Sequence, residues 1–158
     1  MVMNIKKRLK YITMLVLLVI ANAALYAQSN PQYDKALADS LGADNYGMKL
    51  YVFVLLKTGP ASLSKATVDS LFAGHMKNIN RLAENGKLIV AGPMQKNDKN
   101  YRGIFILNVQ TIDEAAVLMK TDPAIDGGLL EPEFYGWYGS AALPMYLPYS
   151  TKIEKEKF

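Results

Sequence analysis

His75 is the only histidine in the chain, and there is no cysteine. Proton transfer near neutral pH falls most naturally to an imidazole, whose charge changes in that range. A working imidazole is usually held by a carboxylate at one ring nitrogen, so that the other faces a substrate. The candidate carboxylate is Asp122, in the stretch TDPAIDGG. Each residue also has a plainer reading. His75 lies on an apolar helical stripe, where it is satisfied if both nitrogens find partners or one reaches solvent. Asp122 precedes Pro123 and reads as the N-cap of a short helical turn.

Other residues could serve a site around this pair. Arg102 in NYRGIF begins a strand and could clamp a substrate carboxylate through two hydrogen bonds, or simply be solvated. Gly92, with Pro93 and Met94 in AGPM, would let backbone approach closely beside the site, although a strand-ending turn explains the same residues. Tyr135 and Trp137 alternate in EFYGWYG and so share one sheet face. They could line a pocket, stack on a sugar, or pack in a core or dimer interface. There is no dinucleotide glycine fingerprint, phosphate loop, G-x-S-x-G or H-E-x-x-H. Without cysteine there is no disulfide, thiolate zinc site, iron–sulfur cluster or cysteine nucleophile, and one histidine cannot build a multi-histidine zinc site. Neither a metal nor a cofactor is expected.

Hydrophobic spacing gives the elements that must position these residues. QSNPQYDKALADSLGADNYG is a polar linker with one short helix over 31–41. MKLYVFVLLKTGP is a buried central strand closed by Gly59-Pro60. Ser62 or Ser64 caps a helix whose one face carries Val68, Phe72, His75, Ile79 and Leu82, with Gly86 as its stop. Strands follow at 87–93 and 101–109. Thr111 and Glu114 have capping-box spacing and open a helix through Lys120, and 131–139 is the last strand. Strand, helix, strand, strand, helix, strand is the order of a ferredoxin-like α+β sandwich with an antiparallel sheet.

Taking the first and third strands as parallel, both helices begin at one end of the sheet. His75 lies 11 residues beyond Ser64, and Asp122 lies 11 beyond Thr111. At 1.5 Å per residue each sits roughly 16 Å from its helix start, so the spacing allows a contact between them while the plainer reading of each stays open.

The N-terminus is different in kind. MVMNIKKRLK is basic, an uncharged apolar run follows, and ANA and LYAQ offer small-residue cleavage sites. This reads as a secretory leader over 1–27 cut after Ala27, or else after Ala23, and implies a secreted or periplasmic protein. The leader's four basic residues account for the whole +4 net charge. The basic pI therefore points to neither nucleic acid nor, once the leader is gone, membrane. The expected layout is leader 1–27, linker 28–46, folded domain 47–140 and a solvated C-terminal tail 141–158.

GHMKNINRLAENGKLIVAGPM, a strand after YRG, and TIDEAAVLMKTDPAIDGGLLEPEFYGWYG together resemble the YCII-related family. Its pattern is a histidine opening H-x-x-x-(x)-x-x-L-x-x-x-G-x-L-x-x-A-G-P, a helix ending in D-P, and A/G-G before the last strand. The resemblance covers about Leu50 to Tyr138. It implies a dimeric α/β-barrel type of ferredoxin-like fold, hence a homodimer, and a site centred on His75 and Asp122. It also implies a small-molecule ligand, with lyase- or isomerase-like activity as in some members. The leader and the added N-terminal segment depart from the family. So does Met119, where a tryptophan is common, and the pocket wall therefore differs. Two functions remain open: acid–base chemistry without a cofactor, or a non-catalytic exported dimeric domain in which the pair is structural.

Overall fold

The run MKLYVFVLLKT forms β1 (Met48–Thr58) because its β-branched and aliphatic residues suit a strand covered on both sides. Val52, Val54 and Leu56 face one way and are buried, and Tyr51 is buried on the other face. The computed structural model describes residues 30–156 together with Lys10, Thr13 and Met14. Apart from those three, the leader reading of 1–27 lies outside the described residues. The chain divides into two units, 1–36 and 37–158. In the first, a turn is fixed by Asn30, whose carbonyl accepts from Tyr33 N and whose side chain accepts from Gln32 N.

Helix α1 (Lys35–Leu41) precedes β1, and α2 (Lys65–Glu84) follows it. Next come β2 (Leu88–Pro93), β3 (Tyr101–Leu107), α3 (Ile112–Met119), the short α4 (Pro123–Asp126) and β4 (Leu130–Ser140). The expected third strand ends two residues early. Asn108 leaves the ladder, and its amide donates to the Gly86 carbonyl. The sheet order is β2-β3-β1-β4 with every neighbouring pair antiparallel. Leu82 of α2 and Ala115 and Met119 of α3 join Val52, Val54, Leu56, Phe105 and Leu107 in a single core. Both helices thus cover one sheet face, the ferredoxin-like arrangement.

One premise is corrected. β1 and β3 are antiparallel neighbours, with Val54 opposite Phe105. The parallel relation instead joins β1 with β2 and β3 with β4, across the two helical crossovers. Helices α2 and α3 therefore start from opposite ends of the sheet. Runs of equal length still bring His75 and Asp122 to one level, because each run covers about half the sheet.

The exit from β1 is tightly constrained. Gly59 N donates to the Leu129 carbonyl and Ala61 N to the Gly128 carbonyl. A Cβ on Gly59 would lie 2.1 Å from the Gly128 oxygen, a backbone atom that cannot rotate away. Gly59→Ala is expected to destabilise the protein by about 2–3 kcal/mol, at the upper end of overpacking costs, as measured by urea unfolding. A loss under about 0.5 kcal/mol, typical of a neutral surface change, would show that this crossing can part.

After β4 comes a 3₁₀ turn (Leu143–Tyr146) and helix α5 (Leu147–Ile153). The last described residues are exposed. The start of this segment is not simply solvated, since Ala141 is buried and the Tyr146 hydroxyl donates to the Ile89 carbonyl. No helix among the described residues is long and apolar enough to cross a membrane.

Candidate functional site

Of the two possible caps, Ser64 begins α2, its side chain accepting from Thr67 N at 3.2 Å. Gly86, at φ +65°, allows the turn that follows its end. His75 lies in the middle of this 20-residue helix. The Thr111–Glu114 capping box starts α3. Asp122 then acts as N-cap of α4, its Oδ1 accepting from Ala124 N at 2.9 Å, with Pro123 in the first turn. Gly74 lets α2 and α4 meet: a Cβ there would come within 2.8 Å of Pro123 Cγ.

That approach joins the two candidates. His75 Nδ1 is 2.7 Å from Asp122 Oδ2. The His75 side chain is 9 % exposed and that of Asp122 0 %. The imidazole stacks on Phe105 (centroids 5.8 Å apart, planes at 27°) and meets Phe72 edge-on at 5.9 Å. Both the plain reading of Asp122 as a cap and the contact that the spacing allows are therefore present: one oxygen caps the helix and the other holds the ring.

Burial alone would push the Asp122 carboxyl up. The hydrogen bond and charge of His75, the Asn78 amide and Ala124 N–H outweigh it, and the carboxyl ends below its ordinary value. An ionised Asp122 takes its hydrogen bond from Nδ1–H, and in the neutral form of the ring this tautomer leaves the lone pair on Nε2. No hydrogen bond to Nε2 occurs among the described residues, and no buried side-chain nitrogen or oxygen there is unpaired. Nε2 therefore keeps contact with solvent.

A cavity of about 200 Å³ is lined by Thr58, Val68, Phe72, Arg102, Leu129 and Leu130, with neither His75 nor Asp122 in its wall. Phe72 is its common wall with His75. Arg102 reaches it through a β-bulge: Leu56 pairs with Gly103 and Lys57 with Tyr101, so Arg102 has no partner in β1. Bulges re-aim the side chains they carry, and this one brings an otherwise outward arginine toward the helix-side cavity. Its guanidinium has no ion pair or hydrogen bond among the described residues.

The remaining candidates lie elsewhere. Tyr135 pairs with Phe53 and Trp137 with Tyr51, on the face away from the helices. The sheet separates them from His75, because only the alternate residues Val52 and Val54 with their partners Gly136 and Phe134 face the core. Gly92 and Pro93 end edge strand β2 and Met94 follows it, and no hydrogen bond or ring contact ties them to the pair among the described residues. Open space surrounds the position that a Cβ on Gly92 would take, so no close approach depends on this residue. The glycine that the approach needs is Gly103, where a Cβ would meet the Gly92 carbonyl oxygen at 2.9 Å. The described residues contain no group of three or more histidine or acidic side chains able to hold a metal.

Asn78, Arg81 and Thr121 extend the site beyond the residues singled out from the sequence. Asn78 Nδ2 donates to Asp122 Oδ2 at 3.2 Å, and Arg81 donates to Asn78 Oδ1 at 2.6 Å and to Thr121 Oγ1 at 2.7 Å. A signal for two of them was present: 75, 78 and 81 share one helix face.

Among solved structures, the chain resembles a 5-chloro-2-hydroxyhydroquinone dehydrochlorinase from Burkholderia phenoliruptrix AC1100, solved in complex with 2,5-dihydroxybenzoquinone. Identity is 22 % over 54 % of this chain and 92 % of that one, with a TM-score of 0.40. No curated protein matches the sequence. A profile of the YCII-related domain matches residues 50–133. With more than half of its length matched, the chain belongs to the YCII-related domain family.

Proposed function

We propose that the chain binds a small organic anion and exchanges a proton with it at His75 Nε2, in lyase- or isomerase-like chemistry. The observation that carries this is the asymmetry of the imidazole, with Nδ1 locked to a buried aspartate and Nε2 left open. Nε2 takes a proton from an acidic C–H or O–H. The electron pair left behind then forms a new double bond, either expelling a leaving group or shifting an existing double bond. The imidazolium returns its proton to the leaving group or to the rearranged carbon, and Asp122 stabilises its charge meanwhile. Arg102 supplies the anion's partner, and Val68, Phe72, Leu129 and Leu130 supply apolar walls. A second copy covering the sheet face that exposes Tyr135 and Trp137 belongs to the same reading, as does export through the N-terminal leader.

A structural role for the pair has support of its own, since Asp122 caps α4 while tying it to α2. Ligand binding separates the two. Titrating small aromatic and aliphatic carboxylates and acidic phenols into the protein is expected to shift the single histidine's NMR signals. Arg102→Gln should weaken the binding about ten- to hundredfold, as loss of a charge-assisted pair would. If no compound moves His75, or Arg102→Gln binds equally well, the reading of this cavity fails and the structural role stands.

A further inference from the structure

Asp122 Oδ2 receives two donors, His75 Nδ1 and Asn78 Nδ2, at 2.7 and 3.2 Å. Asn78 is only 5 % exposed, and its amide has one satisfactory orientation. Its oxygen accepts from the Arg81 guanidinium at 2.6 Å, so turning the amide over would set NH₂ against guanidinium and oxygen against carboxylate. Arg81 is itself anchored on the Thr121 hydroxyl, which donates to the Leu118 carbonyl at 2.7 Å. The result is a directed chain from a cation through an amide to a carboxylate and then an imidazole, in which each hydrogen bond polarises the next.

We infer that Asn78 is a positioning residue for the His75–Asp122 pair, passing the influence of the Arg81 charge to Asp122 so that the carboxylate stays ionised and in one rotamer. Neither residue touches the open Nε2. Without the amide, Oδ2 would keep His75 as its only side-chain donor and become more basic, competing with Nδ1 for the ring proton. The groups acting directly on Asp122 are His75 and Asn78 from α2 and the Ala124 N–H from α4. From β3, Phe105 offers His75 only an uncharged face. Arg81 therefore reaches the carboxylate through Asn78. The value of this device for chemistry rests on the proposed role of His75, but its operation can be measured without any ligand.

The test follows the Asp122 carboxyl by carbon-13 NMR across an acid titration of the intact protein. Asn78→Leu, with the same branched outline but without the amide, is expected to raise the titration midpoint by about one unit, a tenfold change in proton affinity. Arg81→Met should raise it less, and Arg81→Lys should stay near the parent. Asn78→Leu with Arg81→Met should go no further than Asn78→Leu alone, because the cation acts through the amide. A folded Asn78→Leu protein with an unmoved midpoint overturns the inference, and so do strictly additive effects. If Asn78→Leu does not fold, Arg81→Met at the exposed edge decides: an unchanged midpoint there sinks the relay. Absence of any ligand in the binding titration would leave this result standing, so the two failures are distinguishable.

Discussion

Asp122→Ala is expected to destabilise the protein by about 3–5 kcal/mol at pH 7, the range for breaking a buried pair by removing one partner. The substitution strands three donors at once: the Nδ1–H of His75, the Asn78 amide and the Ala124 N–H that starts α4. Urea unfolding reads the loss directly. The dependence on pH fixes its origin. A carboxyl held below its ordinary value of 3.8 contributes stability that is fully present above that value and is lost as the pH falls through the lowered folded one. Asp122→Asn should therefore remove the part of the acid-side decline that begins beneath pH 3.8, leaving a flatter profile. An Asp122→Ala loss under about 1 kcal/mol, the scale of a single ordinary cap, would mean that water replaces the carboxylate and that the pair is not what joins α2 to α4.

His75→Gln is expected to lower turnover of an accepted substrate by about 10²–10⁴-fold, the usual contribution of a positioned acid–base group. Glutamine can still donate an amide hydrogen toward Asp122, so the carboxylate keeps a partner while the proton acceptor at Nε2 is lost. The fall should appear in kcat, with binding at Arg102 nearly unchanged, because in the proposed binding mode Arg102 and His75 would touch different parts of the ligand. Stopped-flow or steady-state kinetics on the compound that shifts the His75 signals would measure it. A variant keeping turnover within a factor of about ten, well short of that range, would assign the chemistry to another group.

Local rules carried much of the fold. The capping box at Thr111 and Glu114, the Ser64 cap and the Gly86 stop each depend on a few neighbouring residues, and each is present. The pair itself was legible too, although one step toward it was wrong, since β1 and β3 are antiparallel. What stayed hidden was relational. Alternation shows that Tyr135 and Trp137 share a face, but which face meets the helices is set by pairing with β1. The bulge at Arg102 exists only as a mismatch between two strands, and neither strand announces it alone. Nothing in its residue type singles out Asn78, since amides are usually exposed; only the arrival of Asp122 from 44 positions away makes its burial sensible.

The tyrosine that closes the 3₁₀ turn has a consequence for how molecules of this chain meet. Strand β2 is an outer strand, and Ile89 within it has no partner in β3, because the register slips between Leu88 and Val90. A free outer edge invites a strand from another molecule, and irregularity or a covering segment discourages this. Here the slipped register spoils the template while Tyr146 occupies the Ile89 carbonyl. The C-terminal segment thus guards the sheet's margin against runaway stacking, and a chain shortened to Ser140 would be the more aggregation-prone one.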